Sequence, residues 1–259
     1  MPVDYALDGA IARLTLNSPH NHNALSTALV TELRRGLADA AASGARAVVL
    51  GHTGRTFCAG ADLSEASSVK GADPSDLAVD RAREMTHVLR SILELPVPVI
   101  GAIDGNVRAG GMGLVGASDI VVAGSASTFA LTEARIGVAP SIISLTLLPK
   151  LDARAAGRYF VTGEKFGADE AARIGLITVA SEDVEATVAA LAAETAKGSP
   201  QGLAASKALI TAAILEGFDR HADDLAEQSA RLFVSDEARE GMLAFLEKRP
   251  PRWQQPGRP

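Results

Sequence analysis

The stretch from Asp104 to Gly137, DGNVRAGGMGLVGASDIVVAGSASTFALTEARIG, holds the residues best suited to chemistry. Gly110-Gly111 opens a segment with helical composition, and a helix that starts on glycine leaves its first N–H groups uncovered. Such groups hold a developing negative charge, helped by the helix dipole. Glu133 stands between Leu131 and Ile136, where partial burial raises a carboxyl pKa and suits it to moving a proton. The earlier loop Cys58-Ala59-Gly60-Ala61-Asp62 offers a second uncovered N–H. Two such donors aimed at one oxygen form an oxyanion hole. Each loop taken alone reads equally well as a packing turn.

Other constellations are weaker. Gly111-Met112-Gly113-Leu114-Val115-Gly116 matches the G-x-G-x-x-G dinucleotide fingerprint, with Glu133 following at a suitable distance. Against a dehydrogenase, Asp104 to Ala109 separates the first glycine from its strand, and the next strand ends Ala123-Gly124-Ser125 without an acid. The G-x-S-x-G motif of serine hydrolases is absent. His20 and His22 share a Pro/Asn-rich turn with no further ligands, so no metal site is expected. His52, His87 and His221 have no visible partners.

The elements that must position these residues alternate between strand and helix. Tyr5 to Leu7, an Asp8-Gly9 turn and Ile11 to Leu16 read as a hairpin. Ser26 reads as the N-cap of a helix carrying Leu29, Leu33 and Leu37, with Gly44 beyond its end. Ala47 to Leu50 is a short strand, followed by a polar loop from Gly54 to Ser68. A long helix is expected from Ser75 to Leu95, with Leu77, Met85, Leu89 and Ile92 on its apolar side. Strands follow at Val97–Ile103 and Ile120–Ala123, either side of the glycine helix. Short helices at Ala153–Tyr159 and Ala168–Ile174 precede a last strand at Leu176–Val179. From Val184 onward the pattern is helical, with a break near Gly198-Ser199-Pro200. The fold class is therefore α/β, with residues 1–197 as the core and 198–259 as a helical C-terminal region.

The chain has 259 residues, 47 % hydrophobic and 4 % aromatic, so its core is built from Ala, Val, Leu and Ile. A net charge of -6 argues against nucleic acid as the main partner. Cys58 is the sole cysteine, which excludes an intrachain disulfide and suits a reducing compartment. The N-terminus MPVDYALDGA lacks the basic start and apolar core of a signal peptide. The uncharged stretch Ile136 to Pro149, 14 residues, is shorter than the roughly 20 of a membrane span. A cytoplasmic protein is expected.

The order of motifs is more telling than any one of them. Asn17-Ser18-Pro19 with Asn23-Ala24-Leu25, FCAGADL, DGNVRAGGMGL, SDIVVA, FALTEARIGV, VTGEKF and AARIGLI follow one another along the chain. Together they resemble the crotonase family, the enoyl-CoA hydratase/isomerase superfamily, over essentially the whole sequence. The resemblance implies a core of repeated ββα units, a helical C-terminal trimerisation region, and a homotrimer or hexamer. It implies an acyl-CoA thioester as ligand, within fatty acid metabolism, and no separate cofactor, since coenzyme A enters as part of the substrate. By the same resemblance the Ala61 and Gly110 N–H groups hold the thioester oxygen, beside Gly111. Ala59, Gly60, Asp62 and Leu63 line the path of adenine and pantetheine. The segment GMLAFLEKRP makes Phe245 and Lys248 candidate coenzyme A contacts from a neighbouring subunit.

One position departs from the family pattern. Hydratases of the family usually carry two glutamates, one of them three residues after the oxyanion glycine. Residues three apart share a helix face, and here that position is Gly113. Water addition asks for a base on the water and an acid at the α-carbon. Moving a double bond needs one carboxylate, which takes a proton from the α-carbon and returns it at the γ-carbon. Residue chemistry thus leans toward isomerisation, and the family's prevailing activity toward hydration. A single Glu133 acting through one bound water would also serve both tasks. A catalytically weak acyl-CoA binder is the third reading. Arg108, beside the glycine pair, is a candidate fork for a substrate carboxylate or else a packing or subunit-contact arginine. FALTEARIGVAPSIIS is also similar to the branch that hydrates branched, carboxylated acyl-CoAs such as methylglutaconyl-CoA. Ser141 falls near the acyl end of the site in related sequences.

Overall fold

The computed structural model describes residues 1–65 and 74–254. The end of the expected polar loop and the tail past 254 lie outside the described residues.

The hairpin forms as β1 (Val3–Asp8) and β2 (Ile11–Leu16), closed by Gly9 at φ +57°. Helix α1 (Thr27–Ala42) starts on Ser26, whose hydroxyl accepts the Leu29 N–H at 3.2 Å. Then come β3 (Ala47–His52), β4 (Thr56–Cys58), α2 (Pro74–Glu94), β5 (Val99–Ile103) and β6 (Asn106–Arg108). Next are α3 (Gly110–Ala117), β7 (Ile120–Gly124), β8 (Thr128–Ala130), a 3₁₀ turn at Glu133–Ile136 and α4 (Ser144–Leu147). The chain continues through α5 (Ala153–Thr162), β9 (Phe166–Gly167), α6 (Ala168–Arg173) and β10 (Val179–Ser181). It closes with α7 (Val184–Ala196), α8 (Pro200–Phe233) and α9 (Asp236–Leu246), the helical run expected past Val184.

Two sheets result. The larger has the order β1-β2-β3-β5-β7-β10 and the smaller β4-β6-β8-β9. Both are parallel except at the β1–β2 and β8–β9 pairs. Each of β3, β5 and β7 is followed by a short strand that crosses to the smaller sheet, which is the repeated ββ step of the expected core. Parallel strands covered on both faces need apolar residues at every position. In β3, Val48 and Leu50 join the main core with Leu14 and Leu33. Ala47 and Val49 instead face a second cluster with Ile100, Val122, Val188 and Ala192, beneath α7.

Helix α8 is fastened by a buried ion pair. Lys207 Nζ lies 2.7 Å from Asp119 Oδ2, with side chains only 2 % and 6 % exposed. The ammonium also donates to the Ile92 and Val97 carbonyls at 2.8 and 3.1 Å, and Asp119 Oδ2 accepts the Val99 N–H at 2.7 Å.

The strand expected at Leu176–Val179 forms later, at Val179–Ser181. Leu176 and Ile177 are instead turn residues whose N–H groups return to the Ala171 carbonyl, after Gly175 at φ +82°. Their side chains are buried in the main core, so apolar content signalled burial rather than strand. Among the described residues no helix is long and apolar enough to cross a membrane, and no cluster of metal-ligating side chains occurs.

Candidate active site

Strand β6 delivers the chain to α3 through Ala109, which has φ +47° and ψ -124°. A side chain rarely adopts this conformation, at a cost of about 1–3 kcal/mol. It is held by the Ala109 N–H donating to the Ala130 carbonyl of β8 at 3.1 Å. The turn brings Gly110 against the Gly60-Ala61 loop. A Cβ on Gly110 would lie 3.1 Å from Leu25 Cδ1 and 3.8 Å from the Ala61 nitrogen. A Cβ on Gly60 (φ +90°) would lie 2.8 Å from Ala109 Cβ and 3.1 Å from the Gly110 nitrogen. A side chain at Gly60 would force the two turns apart, and one at Gly110 would press on the Leu25 side chain. Among the described residues neither the Ala61 nor the Gly110 N–H finds an acceptor. The two donors expected from sequence are therefore adjacent and available.

The Ala61 loop is held from below by the Asn17–Leu25 segment. Buried Asn23 accepts the Ser18 N–H at 2.6 Å and donates to the Thr53 and Thr56 carbonyls at 3.0 and 2.8 Å. Leu25 N–H bonds the Gly60 carbonyl at 2.8 Å. The Asp62 carboxylate accepts from Asn21 Nδ2 at 2.9 Å and from the Ser64 hydroxyl at 2.6 Å. Burial pushes its pKa up, but these bonds outweigh burial and hold it below its ordinary value. Asp62 thus shapes the loop, while Ala59 and Leu63 remain partly exposed beside it. Asn23 was not singled out as a site residue by sequence reasoning, although the motif containing it was the available signal. Cys58 is no nucleophile, because burial pushes its thiol up to about 12.

Glu133 begins the 3₁₀ turn, three residues past the Ala130 carbonyl that fastens Ala109. It is 8 % exposed, and among the described residues its Oε2 has no hydrogen-bond partner. Burial pushes its pKa up to about 7, offset only in part by its own N–H. At neutral pH such a group both takes and gives a proton.

Gly113 faces packed side chains. A Cβ there would lie 2.5 Å from Ile143 Cγ2 and 3.0 Å from Met85 Cε. Ile143 and Met85 thus cover the position where a second carboxylate would stand, and no sequence signal pointed to either. Gly111 is equally confined, with a Cβ meeting the Cys58 carbonyl oxygen at 2.7 Å.

Arg108 takes the packing alternative. Its Nη1 donates to the Val107 and Thr128 carbonyls at 2.8 and 2.6 Å, and its Nη2 to Asn106 Oδ1 and Thr128 Oγ1 at 3.2 and 2.7 Å. These bonds tie β6 to β8, so the guanidinium is not held ready as a fork for a substrate carboxylate. Ser141 is buried near the start of α4, with its hydroxyl unpartnered among the described residues. Phe245, 65 % exposed, and Lys248 stand at the end of α9 and past it, beyond the stretch from Ala238 to Gly241 that packs on Ile136 and Gly137.

Two uncovered backbone donors thus stand on adjoining turns of an α/β fold built from two sheets, and a buried carboxyl, Glu133, follows on the next turn of the chain. Residues 7–256 match the family described as Enoyl-CoA hydratase/isomerase. The chain belongs to this family, the crotonase superfamily. It is 35 % identical over 255 residues to a Rhodobacter capsulatus protein named "Probable enoyl-CoA hydratase", covering 97 % of each chain. It superposes on the crystal structure of an enoyl-CoA hydratase from Mycobacterium avium with a TM-score of 0.91 at 66 % identity, covering 98 % of this chain and 99 % of that one. A Mycobacterium smegmatis enoyl-CoA hydratase gives 0.78 at 30 % identity, covering 98 % and 100 %.

Proposed function

We propose that this enzyme adds water to a 2-enoyl-CoA, with Glu133 as its single proton carrier. The thioester oxygen sits between the Ala61 and Gly110 N–H groups. Glu133, as carboxylate, takes a proton from water while the water oxygen bonds to the β-carbon. The π electrons move onto the thioester oxygen as an enolate. The α-carbon then takes the proton from Glu133, and the carboxylate is restored. The observation that carries this reading is buried Glu133, whose Oε2 has no partner among the described residues and whose pKa burial pushes up to about 7. Hydratase relatives on both sequence and structure support it.

Isomerisation is the second reading, and the cover of Ile143 and Met85 over Gly113 favours it, because one carboxylate suffices for that reaction. Purified protein assayed on 2-enoyl-CoA for water addition and on 3-enoyl-CoA for bond migration separates the two. A protein that binds CoA thioesters and turns over neither is the weak binder. The exposed Leu243, Phe245 and Leu246 of α9 support assembly into a trimer or hexamer, with Phe245 and Lys248 reaching a neighbour's CoA. Sedimentation velocity, and a KM that rises in Lys248→Ala, test this.

A further inference from the structure

Among the described residues, two buried side-chain atoms lack any hydrogen-bond partner: Glu133 Oε2 and Ser141 Oγ. An orphaned interior polar atom is destabilising, so each is expected to meet a group from outside the chain. Nearby hydroxyls show the ordinary alternative. Ser144 Oγ donates to the Ser141 carbonyl at 2.5 Å, and Thr146 Oγ1 to the Ile143 carbonyl at 3.1 Å, the usual return of a Ser or Thr to its own backbone. Ser141 makes no such bond.

The two orphans lie eight residues apart on one continuous wall of chain. The segment leaves β8 beside Ala109 and enters the Glu133 turn. Gly137, at φ +79°, then bends the chain so that the Val138 N–H reaches the Glu133 carbonyl at 3.1 Å. Two residues past Ser141, the Ile143 side chain lies on Gly113. The wall therefore starts at the pivot of the oxyanion turn and ends over the first turn of α3. Between its ends, Val138, Ile142 and Ile143 are buried and apolar.

We infer that the Ser141 hydroxyl is a positioning residue for the water that Glu133 activates, occupying the role that a second carboxylate cannot take at position 113. This rests on the hydration reading above. A hydroxyl accepts one O–H of the water and leaves the other for Glu133 Oε2. Being neutral, it holds the water without adding a second negative charge beside Glu133.

The test uses 2-butenoyl-CoA, whose acyl chain has no polar group, and butanoyl-CoA, whose α-proton exchanges with deuterium oxide without any nucleophilic water. Ser141→Ala is expected to lower kcat for hydration by about 10- to 100-fold, with KM changed less than about twofold and the melting temperature kept. Its α-proton exchange stays at the wild-type rate, whereas Glu133→Gln loses both reactions. Ser141→Thr, which keeps the hydroxyl, recovers most of the hydration. Hydration by Ser141→Ala at the wild-type rate, an effect on KM alone, or an equal fall in hydration and exchange would each overturn the assignment. A wild-type protein that exchanges α-protons but never hydrates sinks the hydration reading itself, and this inference with it.

Discussion

Among the described residues, Asp119 and Glu133 both hold their carboxyl groups away from solvent, and they are treated in opposite ways. Asp119 has a lysine at 2.7 Å and a backbone N–H at 2.7 Å on the same oxygen. Among the described residues Glu133 has one oxygen with no partner, and burial pushes its pKa up to about 7. The first is a fastening: its charge is met inside the chain and joins α8 to the larger sheet. The second is kept incomplete, and its energetic deficit leaves it able to exchange a proton. Burial alone distinguishes neither role; what each carboxylate touches does.

The sharpest way to break this contrast is Glu133→Gln. Hydration or isomerisation is expected to fall by about 10²- to 10⁴-fold while the melting temperature does not fall. Steady-state kinetics beside calorimetry check both halves, and a variant with full activity would remove Glu133 from the mechanism. Lys207→Met should do the converse. Leaving Asp119 buried and unpaired costs about 3–5 kcal/mol in denaturant unfolding, with kcat per folded molecule unchanged. A loss of kcat at unchanged stability would erase the distinction.

The pH dependence of stability follows from the raised pKa of Glu133. Its folded value, about 7, lies above the unfolded 4.5, so the folded state binds more protons in between. Its contribution is fully present below about pH 4.5, fades as pH rises, and is gone above about pH 7. The loss amounts to about 3 kcal/mol. Unfolding curves of wild type and Glu133→Gln should therefore diverge between pH 4 and 8, with the Gln variant gaining at the alkaline end. The smallest effect concerns position 113. Gly113→Ala should cost about 1–3 kcal/mol by overpacking Ile143, and Gly113→Glu alone should not accelerate hydration. A Gly113→Glu enzyme that hydrates faster would show that the site still has room for a second base.

Local signals were legible in the sequence because they act over a few residues. Ser26 caps its helix, Gly9 closes its hairpin, and Gly110-Gly111 starts α3 as composition suggested. The pairing of Ala61 with Gly110 came from family resemblance, since nothing in their spacing shows that a strand crossing brings them together. Ile143 and Met85 over Gly113 were invisible: each is an ordinary core residue, and only the packing of α4 and α2 on α3 gives them their place. The commitment of Arg108 was hidden likewise, because its acceptors lie on the neighbouring strand β8 and at Asn106. Strain at Ala109 had no signal at all, since an alanine does not announce a positive φ.

The close packing at Gly137 and Gly241 has a consequence of its own. A Cβ on Gly241 would lie 2.5 Å from the Ile136 carbonyl carbon, and one on Gly137 would lie 2.7 Å from the Glu237 carbonyl carbon. The C-terminal helix therefore rests directly on the backbone that carries Glu133. The helix is thus seated on the same 3₁₀ turn whose first residue, Glu133, has its pKa raised by burial. Lifting that helix, by truncation or by bulk at either glycine, would let solvent reach Glu133 and return its pKa toward 4.5, so that the proton carrier is still present but no longer tuned to neutral pH.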